Sequence, residues 1–383
     1  MEVSESLDSV MKHYRIAPAW LVYTVIYCAC VTPSHAADNV FLITLDGLRW
    51  EELYIGADEK LINDAAFTEN PEAVAAQFWR DTPQARREAL MPFFWHTIAE
   101  QGVLYGNRLL GSNVNVGNAE WFSYPGYNEI LTGAVDPAID SNAKVPNKNV
   151  TVLEWINEQP EFEGKVAAFA SWDVFPYIIN EDRSGVPVNA GFDGADPVIS
   201  ERESWLNTLQ SQTPSPWAAV RLDVFTHHYA LEYLTHSTPR LLYISYGETD
   251  DFAHDAEYHH YLESAHRADQ FISDLWDRAQ SHPQYRGNTT FVITTDHGRG
   301  SGPQWTDHEA GVEGADEIWI ALLGPDIPAL GEIEEATSLA QDQIAATVAS
   351  LLGLDYVEAR IEGSQESRPA GAPLDIVGNP AQN

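Results

Sequence analysis

The chain has 383 residues, of which 57 are aspartate or glutamate and 21 are lysine or arginine, so its formal net charge is -36 at neutral pH. This charge repels phosphate backbones and anionic lipid head groups, which argues against a protein that wraps nucleic acid. Apolar residues make up 44% of the sequence, which excludes global disorder and predicts a sizeable buried core. The acidic composition is also consistent with a saline habitat, where salt screens the repulsion between carboxylates.

The first 36 residues have the pattern of a secretory signal. An apolar run of about a dozen residues is followed by the small residues Ser34 and Ala36. The run is too short to span a bilayer comfortably, so we expect no stable membrane anchor after cleavage, and a periplasmic or secreted protein. An uncleaved signal anchor is the alternative. A secretory signal normally has basic residues before its apolar run. Translation that begins at Met11 would give this order and is an alternative to translation from Met1.

The remainder, residues 37–383, is predicted to be a single catalytic domain, since no internal repeat and no Gly/Ser linker divides it. The two cysteines, Cys28 and Cys30, precede this domain, so a cleaved chain has neither disulfides nor thiolate metal sites. A stretch at about 172–239 is less periodic and rich in proline and aromatic residues. We interpret it as an insertion over the binding crevice that determines substrate choice.

Five short apolar runs, each followed at once by polar residues, predict buried strands of a parallel sheet. They are residues 40–45, 166–170, 241–246, 291–295 and 318–323. Between them, apolar residues at three- and four-residue spacings predict helices, notably at 258–282 and 343–352. This alternation predicts an α/β fold with a mostly parallel central sheet, helices on both faces, and a binding crevice at the carboxyl ends of the strands.

Three clusters of residues able to ligate a metal follow these predicted strands. They are Asp46 after the first run, Asp250 and His254 after the third, and Asp296, His297 and His308 after the fourth. Oxygen and nitrogen ligands without sulfur suit Zn²⁺, with Mn²⁺ or Fe as alternatives. Each cluster taken alone is also explained by an aspartate that caps the next helix beside a hydrogen-bonded histidine.

A candidate nucleophile lies between the first two clusters. Ser123 precedes a proline and a short predicted helix that runs towards Gly133. The free N–H groups and the dipole at such a helix start attract an anionic substrate, although the serine could also be a plain N-cap. No Ser-His-Asp arrangement is readable, so metal coordination is the expected way to form the alkoxide.

Taken together, the segments NVFLITLDGLRW, FSYPGYNEILTG, GETDDFAH, TTDHGRG and WTDH resemble the alkaline phosphatase superfamily, in particular its type I phosphodiesterase/nucleotide pyrophosphatase branch. The resemblance spans residues 40–133 and 240–354. It implies an alkaline-phosphatase-like sandwich and two divalent ions. The ion ligands it implies are Asp46, Ser123, Asp296 and His297 for one ion, and Asp250, His254 and His308 for the other.

The same resemblance implies an exported phosphoric ester hydrolase that acts on a small phosphate ester through a phosphoseryl intermediate on Ser123, where the branch usually has threonine. In the branch an asparagine commonly follows the aromatic and the proline, whereas this chain has Gly126. We consider Asn115 and Asn128 as replacement donors to the phosphoryl group. Two aromatic residues, Trp121 and Tyr124, are the candidates for stacking on a substrate ring.

Other functions remain open at this point. A sulfatase would need an arginine where Tyr127 stands, and a phosphomutase fits poorly with export. A non-catalytic, metal-stabilised binding protein is a third alternative. Diester cleavage is favoured slightly over monoester cleavage, because the only basic residues noted near the motifs are Arg49 and Arg299, and a diester carries less charge to neutralise. Arg49 is equally explained as a member of a structural ion pair. The sequence leaves the oligomeric state open.

Overall fold

The computed structural model describes residues 37–364 and 366–375, so the signal segment predicted at residues 1–36 lies outside the described part of the chain. In chain order the strands are β1 Asn39–Leu45, β2 Val103–Tyr105, β3 Ser112–Asn115, β4 Val166–Ala170, β5 Val188–Ala190, β6 Leu241–Tyr246, β7 Thr289–Thr294, β8 Glu317–Ile318, β9 Ile320–Leu323, β10 Gly331–Glu332, β11 Thr337–Ala340, β12 Glu358–Arg360 and β13 Ser367–Pro369.

The helices surround these strands. They are α1 Trp50–Tyr54, α2 Glu59–Ile62, α3 Pro71–Phe78, α4 Pro83–Leu90, α5 Ala99–Gln101, α6 Ser123–Thr132, α7 Val152–Asn157, α8 Phe175–Ile178, α9 Glu181–Ser184, α10 Glu201–Gln212, α11 Asp223–His236, α12 Glu248–His254, α13 Tyr258–Ser281 and α14 Gln343–Leu351. A π-helical turn spans Phe94–Ile98, and 3₁₀ turns span Arg108–Leu110 and Gly302–Thr306. The helices predicted at 258–282 and 343–352 are confirmed as α13 and α14.

An eight-stranded sheet in the order β10-β2-β9-β7-β1-β6-β4-β5 forms the centre of the fold. Its middle strands β7, β1, β6 and β4 are parallel to one another, which confirms four of the five predicted strands. Two small sheets, β11-β3-β8 and β12-β13, complete the described strands. The chain therefore has the predicted α/β architecture, with a large, mostly parallel sheet.

The fifth predicted strand, at 318–323, differs from the expectation. Trp319 divides it into β8, which joins a small sheet, and β9, which pairs antiparallel to β7. A parallel strand would need a long crossover, usually a helix, after β7. The connection that follows β7 has only the short 3₁₀ turn Gly302–Thr306, so the chain turns back instead. Trp319 is fully buried, and its indole N–H donates to the carbonyl of Leu48 at 2.9 Å.

Every residue of β1 is buried because helices cover both faces of the sheet. On one face Phe41, Ile43 and Leu45 pack in a core with α11 and α13, and on the other Val40 and Leu42 pack with α6, α7 and α14. This two-sided burial explains why the strand is a continuous apolar run without polar alternation.

The stretch at 172–239 contributes β5 to the edge of the central sheet and α11 to its packed face. Its role as a cover over the crevice stays a prediction. Among residues 37–364 and 366–375, no helix is both long enough and apolar enough to cross a membrane.

Candidate metal and nucleophile site

The candidate ligands lie at the carboxyl ends of β1, β6 and β7, which are neighbours in the sheet. Asp46 follows β1 directly, Asp250 lies in α12 just after β6, and Asp296 follows β7 after one further threonine. Because parallel strands end at the same edge of a sheet, residues far apart in sequence meet in one crevice there. Ser123 enters this crevice as the first residue of α6.

The first group of ligand atoms comes from Asp46, Asp296 and His297, all of which are buried. Nε2 of His297 lies 3.3 Å from Oδ1 of Asp46 and 3.5 Å from Oδ2 of Asp296. It also lies 3.5 Å from Oγ of Ser123. The structure therefore brings together all four residues that the resemblance implies for one ion.

The second group is formed by Asp250, His254 and His308. Nε2 of His254 lies 2.9 Å from Nε2 of His308 and 3.3 Å from Oδ2 of Asp250. The ring of His297 stacks on that of His308 at 3.9 Å, and Nε2 of His297 is 3.7 Å from Oδ1 of Asp250. His297, which the resemblance implies for one ion only, thus stands between the two groups.

Unpartnered buried oxygens show that these residues suit a cation. Oδ1 of Asp46 and Oδ2 of Asp296 are buried, yet neither accepts a hydrogen bond within the described part of the chain. Leaving a buried carboxylate oxygen without a donor is costly unless a cation satisfies it. One ligand atom each from Asp46, Asp296 and His297 lie within 4.8 Å of one another, and so do one each from Asp250, His297 and His308. Carboxylate and imidazole donors without sulfur suit Zn²⁺, Mn²⁺ or Fe, and the choice among these metals stays a prediction.

The electrostatics of the two groups differ. Burial raises the pKa of Asp46 well above its ordinary value, with the charge of Asp250 adding to it, and burial together with Asp46 raises the pKa of Asp296. For Asp250, the upward effect of burial is outweighed by the charge of Arg299 and by His254, and its pKa is well below the ordinary value. Asp250 is therefore the carboxylate that is paired with Arg299, and the same charge opposes, without cancelling, the rise in the pKa of Asp46.

Neutral imidazole is the form of histidine that binds metals. Burial, with a further contribution from His297, lowers the pKa of His308 to about 2, so His308 is neutral at physiological pH. Its Nδ1 is 3.1 Å from the carbonyl oxygen of Trp121, which accepts from the ring N–H. That contact leaves Nε2 directed at the ligand cluster and able to coordinate a cation.

Tyr127 supports the first group and was noted from the sequence only as a departure from the sulfatase pattern. Its hydroxyl donates to Oδ2 of Asp46 at 2.8 Å and accepts from Oγ of Ser245 at 3.1 Å. The backbone N–H of Gly47 donates to Oδ1 of Asp296 at 3.1 Å. Each first-group carboxylate thus has one oxygen held by a donor and one left for a cation.

Gly126 is explained by a close approach of two backbone segments. A Cβ atom at this position would lie 2.5 Å from the carbonyl oxygen of Asp296. The same carbonyl accepts a 2.7 Å hydrogen bond from the side chain of Gln341, which fixes it in place. Position 126 therefore has no room for an asparagine side chain.

The two asparagines considered as replacement donors, Asn115 and Asn128, both have side-chain amides that are engaged within the protein, and their role as donors stays a prediction. Asn115 donates to Oδ2 of Asp316 at 2.7 Å. Asn128 is buried in a polar cluster, where it accepts from Asn147 and Asn149 and donates to the carbonyl of Ala134.

The two candidates for stacking on a substrate ring, Tyr124 and Trp121, differ in their accessibility. The ring of Tyr124 is buried, and its hydroxyl donates to the carbonyl of Val145 at 2.6 Å, so it is not available for stacking on a substrate. Trp121 is partly exposed beside the site, in the left-handed backbone region with φ of 54°. It remains the stacking candidate.

Asn142 is a residue that the sequence reasoning missed. Its Oδ1 accepts from the backbone N–H of Tyr124 at 2.9 Å, which places its amide beside Ser123 at the start of α6. The side chain of Asn142 is exposed, and this contact uses only its Oδ1, so its Nδ2 can donate to a ligand. It lies 18 residues beyond Tyr124 in an exposed loop, where an asparagine reads as an ordinary turn residue.

The two arginines noted from the sequence are both paired. Arg49 forms a buried ion pair with Glu52, and its Nη1 donates to the carbonyl of Gly300 at 3.0 Å, in agreement with the structural alternative. Arg299 forms an ion pair with Asp250. Neither guanidinium is left to bind a second negative charge on a substrate.

Comparison with known proteins gives one family. The family model described as type I phosphodiesterase / nucleotide pyrophosphatase matches residues 57–314, which is more than half of the chain. The matched range contains Ser123 and every candidate ligand except Asp46, which precedes it. None of the curated protein sequences matches the chain.

Solved structures of low sequence identity share the fold. Alkaline phosphatase PafA is 10% identical, with a TM-score of 0.57 over 89% of this chain and 99% of that one. The lipoteichoic acid synthase LtaP from Listeria monocytogenes is 12% identical, with a TM-score of 0.56 over 89% and 76% of the two chains. A putative sulfatase from Bacteroides thetaiotaomicron is 13% identical, with a TM-score of 0.55 over 91% and 75%.

Proposed function

Since the chain belongs to the type I phosphodiesterase/nucleotide pyrophosphatase family of the alkaline phosphatase superfamily, we propose that it is a phosphoric ester hydrolase that uses two divalent ions and Ser123 as its nucleophile. The observation that carries this proposal is the pair of unpartnered buried oxygens on Asp46 and Asp296, grouped around a histidine 3.5 Å from Oγ of Ser123. We further propose that the protein is exported, as its first 36 residues predict.

Divalent ions held by these residues would lower the pKa of a nearby hydroxyl and offset charge on the attacking and leaving oxygens of an in-line displacement. The chain itself supplies the nucleophile and the positioning. Oγ of Ser123 forms a bond to phosphorus while the bond to the leaving oxygen breaks, and water then cleaves the phosphoseryl bond and restores the hydroxyl. Two inversions give net retention of configuration at phosphorus.

Stabilisation of the phosphoryl group falls to the start of α6. The free N–H groups of a helix start and its dipole favour an anion there. Nδ2 of Asn142, held beside this start by its contact with the N–H of Tyr124, is the side-chain donor that replaces the missing one at position 126. A donor directed at the charge that develops in the transition state accelerates such reactions strongly.

We propose a diester as the substrate class. A monoester brings a second negative charge to the site, and both arginines noted from the sequence are already paired with carboxylates. A diester has one charge fewer to neutralise. Lys144, two residues after Asn142, is also paired, since its Nζ lies 2.6 Å from Oδ2 of Asp173.

The test compares hydrolysis of a bis-aryl phosphate and an aryl phosphate by the purified protein in Zn²⁺ or Mn²⁺, together with metal content by mass spectrometry. We expect a faster rate on the diester. Ser123→Ala should lose at least about a thousandfold in rate with its metal content retained. A peptide phosphorylated at Ser123, trapped by acid quench, would support the covalent intermediate.

Three outcomes contradict parts of this proposal. If Ser123→Ala remains active, Ser123 is not the nucleophile. If the monoester is hydrolysed faster than the diester by orders of magnitude, the assignment of a diester substrate is wrong. A wild-type protein that binds both ions and hydrolyses neither ester supports a binding protein instead.

A further inference from the structure

Arg299 lies in the second cation group without being one of its ligands. Its guanidinium is buried, with Nη1 bonded to Oδ1 of Asp250 and Nη2 3.5 Å from Nδ1 of His254. A fixed positive charge therefore stands where a divalent ion would gather its ligands.

Backbone contacts hold the guanidinium there independently of Asp250. Nε of Arg299 donates to the carbonyl of Trp305 at 2.9 Å, and Nη2 donates to the carbonyl of Thr306. The chain also keeps space for the ion pair, because a Cβ atom at Gly47 would lie 2.9 Å from both Nη1 of Arg299 and Oδ1 of Asp250. The guanidinium is thus held in the site by backbone acceptors as well as by Asp250.

The two groups differ in charge as a result. The first group has two carboxylates, Asp46 and Asp296, and among the described residues no arginine or lysine is hydrogen-bonded to either. The second group has one carboxylate, Asp250, whose charge Arg299 already balances. With every carboxylate ionised, as a ligand to a cation must be, the first group carries two negative charges, and the single negative charge of the second group is balanced by Arg299.

We propose that Arg299 makes the Asp250–His254–His308 site the weaker and exchangeable of the two cation sites, so that catalytic competence follows the free metal concentration. This inference rests on the proposed function, since it concerns how its second ion is held. Repulsion between a buried guanidinium and a dication a few ångströms away is only weakly screened by solvent. The side chain of His254 is 46% exposed, which leaves a path for exchange.

A purely orienting arginine would have the opposite effect. If Arg299 served only to direct Asp250 at the ion, its removal would weaken the second site, as loss of residues that orient metal ligands commonly does. The sign of the change in affinity therefore separates the two roles.

The experiment measures stepwise Zn²⁺ binding by competition with a chromophoric chelator, with ion counts by mass spectrometry after dialysis. In the wild type we expect two dissociation constants that differ by at least about tenfold, because one group is neutralised and the other is not. Asp250→Asn should lose the weaker ion. Arg299→Gln should bring the two constants closer by about tenfold.

Arg221→Gln is the matched control, because Arg221 is fully buried and donates to Thr226 and to carbonyls of Asn189 and Asp193, outside both groups. It should leave both constants unchanged.

Two equal constants in the wild type overturn the inference, and this result does not depend on any variant folding. Weaker second-site binding in Arg299→Gln also overturns it. A wild type that binds neither ion overturns the proposed function as well, which distinguishes the two failures.

Discussion

The hydroxyl of Tyr127 donates a 2.8 Å hydrogen bond to Oδ2 of Asp46, and Tyr127 lies four residues after Ser123 in the same helix. Residues four apart share one face of a helix, so α6 presents the nucleophile and the support of a cation ligand side by side. The position of Ser123 and the orientation of the cation ligand Asp46 therefore both depend on helix α6.

We expect Tyr127→Phe to weaken cation binding by about 10- to 100-fold, because the carboxylate of Asp46 loses the donor that orients it. The ring remains, with its edge contact to Phe175 at 4.7 Å, so the core packing is kept. The measurement is the Zn²⁺ dissociation constant of the tighter site. Hydrolysis should recover when the metal concentration is raised.

Tyr243→Phe is the control for this change. Tyr243 is also a fully buried tyrosine, and its hydroxyl shares a 3.0 Å hydrogen bond with Oγ1 of Thr44, which lies inside β1. We expect its removal to alter stability without altering metal affinity. Equal losses of affinity in both variants would mean that the effect is a general loosening of the core.

Gly126→Ala should destabilise the protein, although alanine in a helix normally stabilises by about 1 kcal/mol relative to glycine. The added Cβ would meet the carbonyl oxygen of Asp296 at 2.5 Å, which is backbone and cannot rotate away. We expect a cost of about 1–3 kcal/mol, the range for overpacked sites. Denaturant unfolding measures it, and a more stable variant would contradict the close approach of α6 to the segment after β7.

The parts of the fold that could be predicted are those encoded locally. Continuous apolar runs revealed β1, β4, β6 and β7, and an aspartate at or near the end of three of them indicated the edge where the ligands meet. The direction of β9 was not predictable in the same way, because it depends on the absence of a crossover helix and on where Trp319 is anchored.

The parts of the site that could not be predicted depend on contacts between distant segments. The resemblance implied His297 for one ion only, yet its Nε2 lies 3.5 Å from Oδ2 of Asp296 and 3.7 Å from Oδ1 of Asp250, and its ring stacks on His308. Asn142 meets the start of α6 only through tertiary packing. From the sequence, Gly126 indicated only the loss of a phosphoryl donor. The structure shows that the backbone carbonyl of Asp296 lies too close to position 126 for any side chain there.

Asn142→Ala should lower kcat/KM by about 10²- to 10³-fold, the usual cost of removing a donor to developing charge. Metal content should stay unchanged, because Asn142 contacts none of the candidate ligands. Asn115→Ala is the matched control, since Asn115 is bound to Asp316 and should not affect the rate. If the two variants have the same activity, the assignment of Asn142 is wrong.

Asp269 gives a test of pH dependence away from the cation groups. It is fully buried in α13, and its two oxygens accept from the backbone N–H groups of Phe93 and Phe94, each at 2.8 Å. Burial raises the pKa of Asp269 to about 7 in the folded protein. In the unfolded chain an aspartate has a pKa of about 3.9, so the folded state binds a proton that the unfolded state has already lost.

The contribution of Asp269 to stability is therefore present at low pH and is lost as pH rises from about 4 to about 7. Asp269→Asn cannot ionise, so this component should disappear in the variant. We expect the unfolding free energy of the wild type, relative to that of Asp269→Asn, to fall by roughly 2–3 kcal/mol between pH 5 and pH 8. Denaturant unfolding of both proteins at the two pH values measures this difference. A difference that is constant or increases with pH would mean that the two backbone N–H groups hold the carboxylate ionised in spite of its burial.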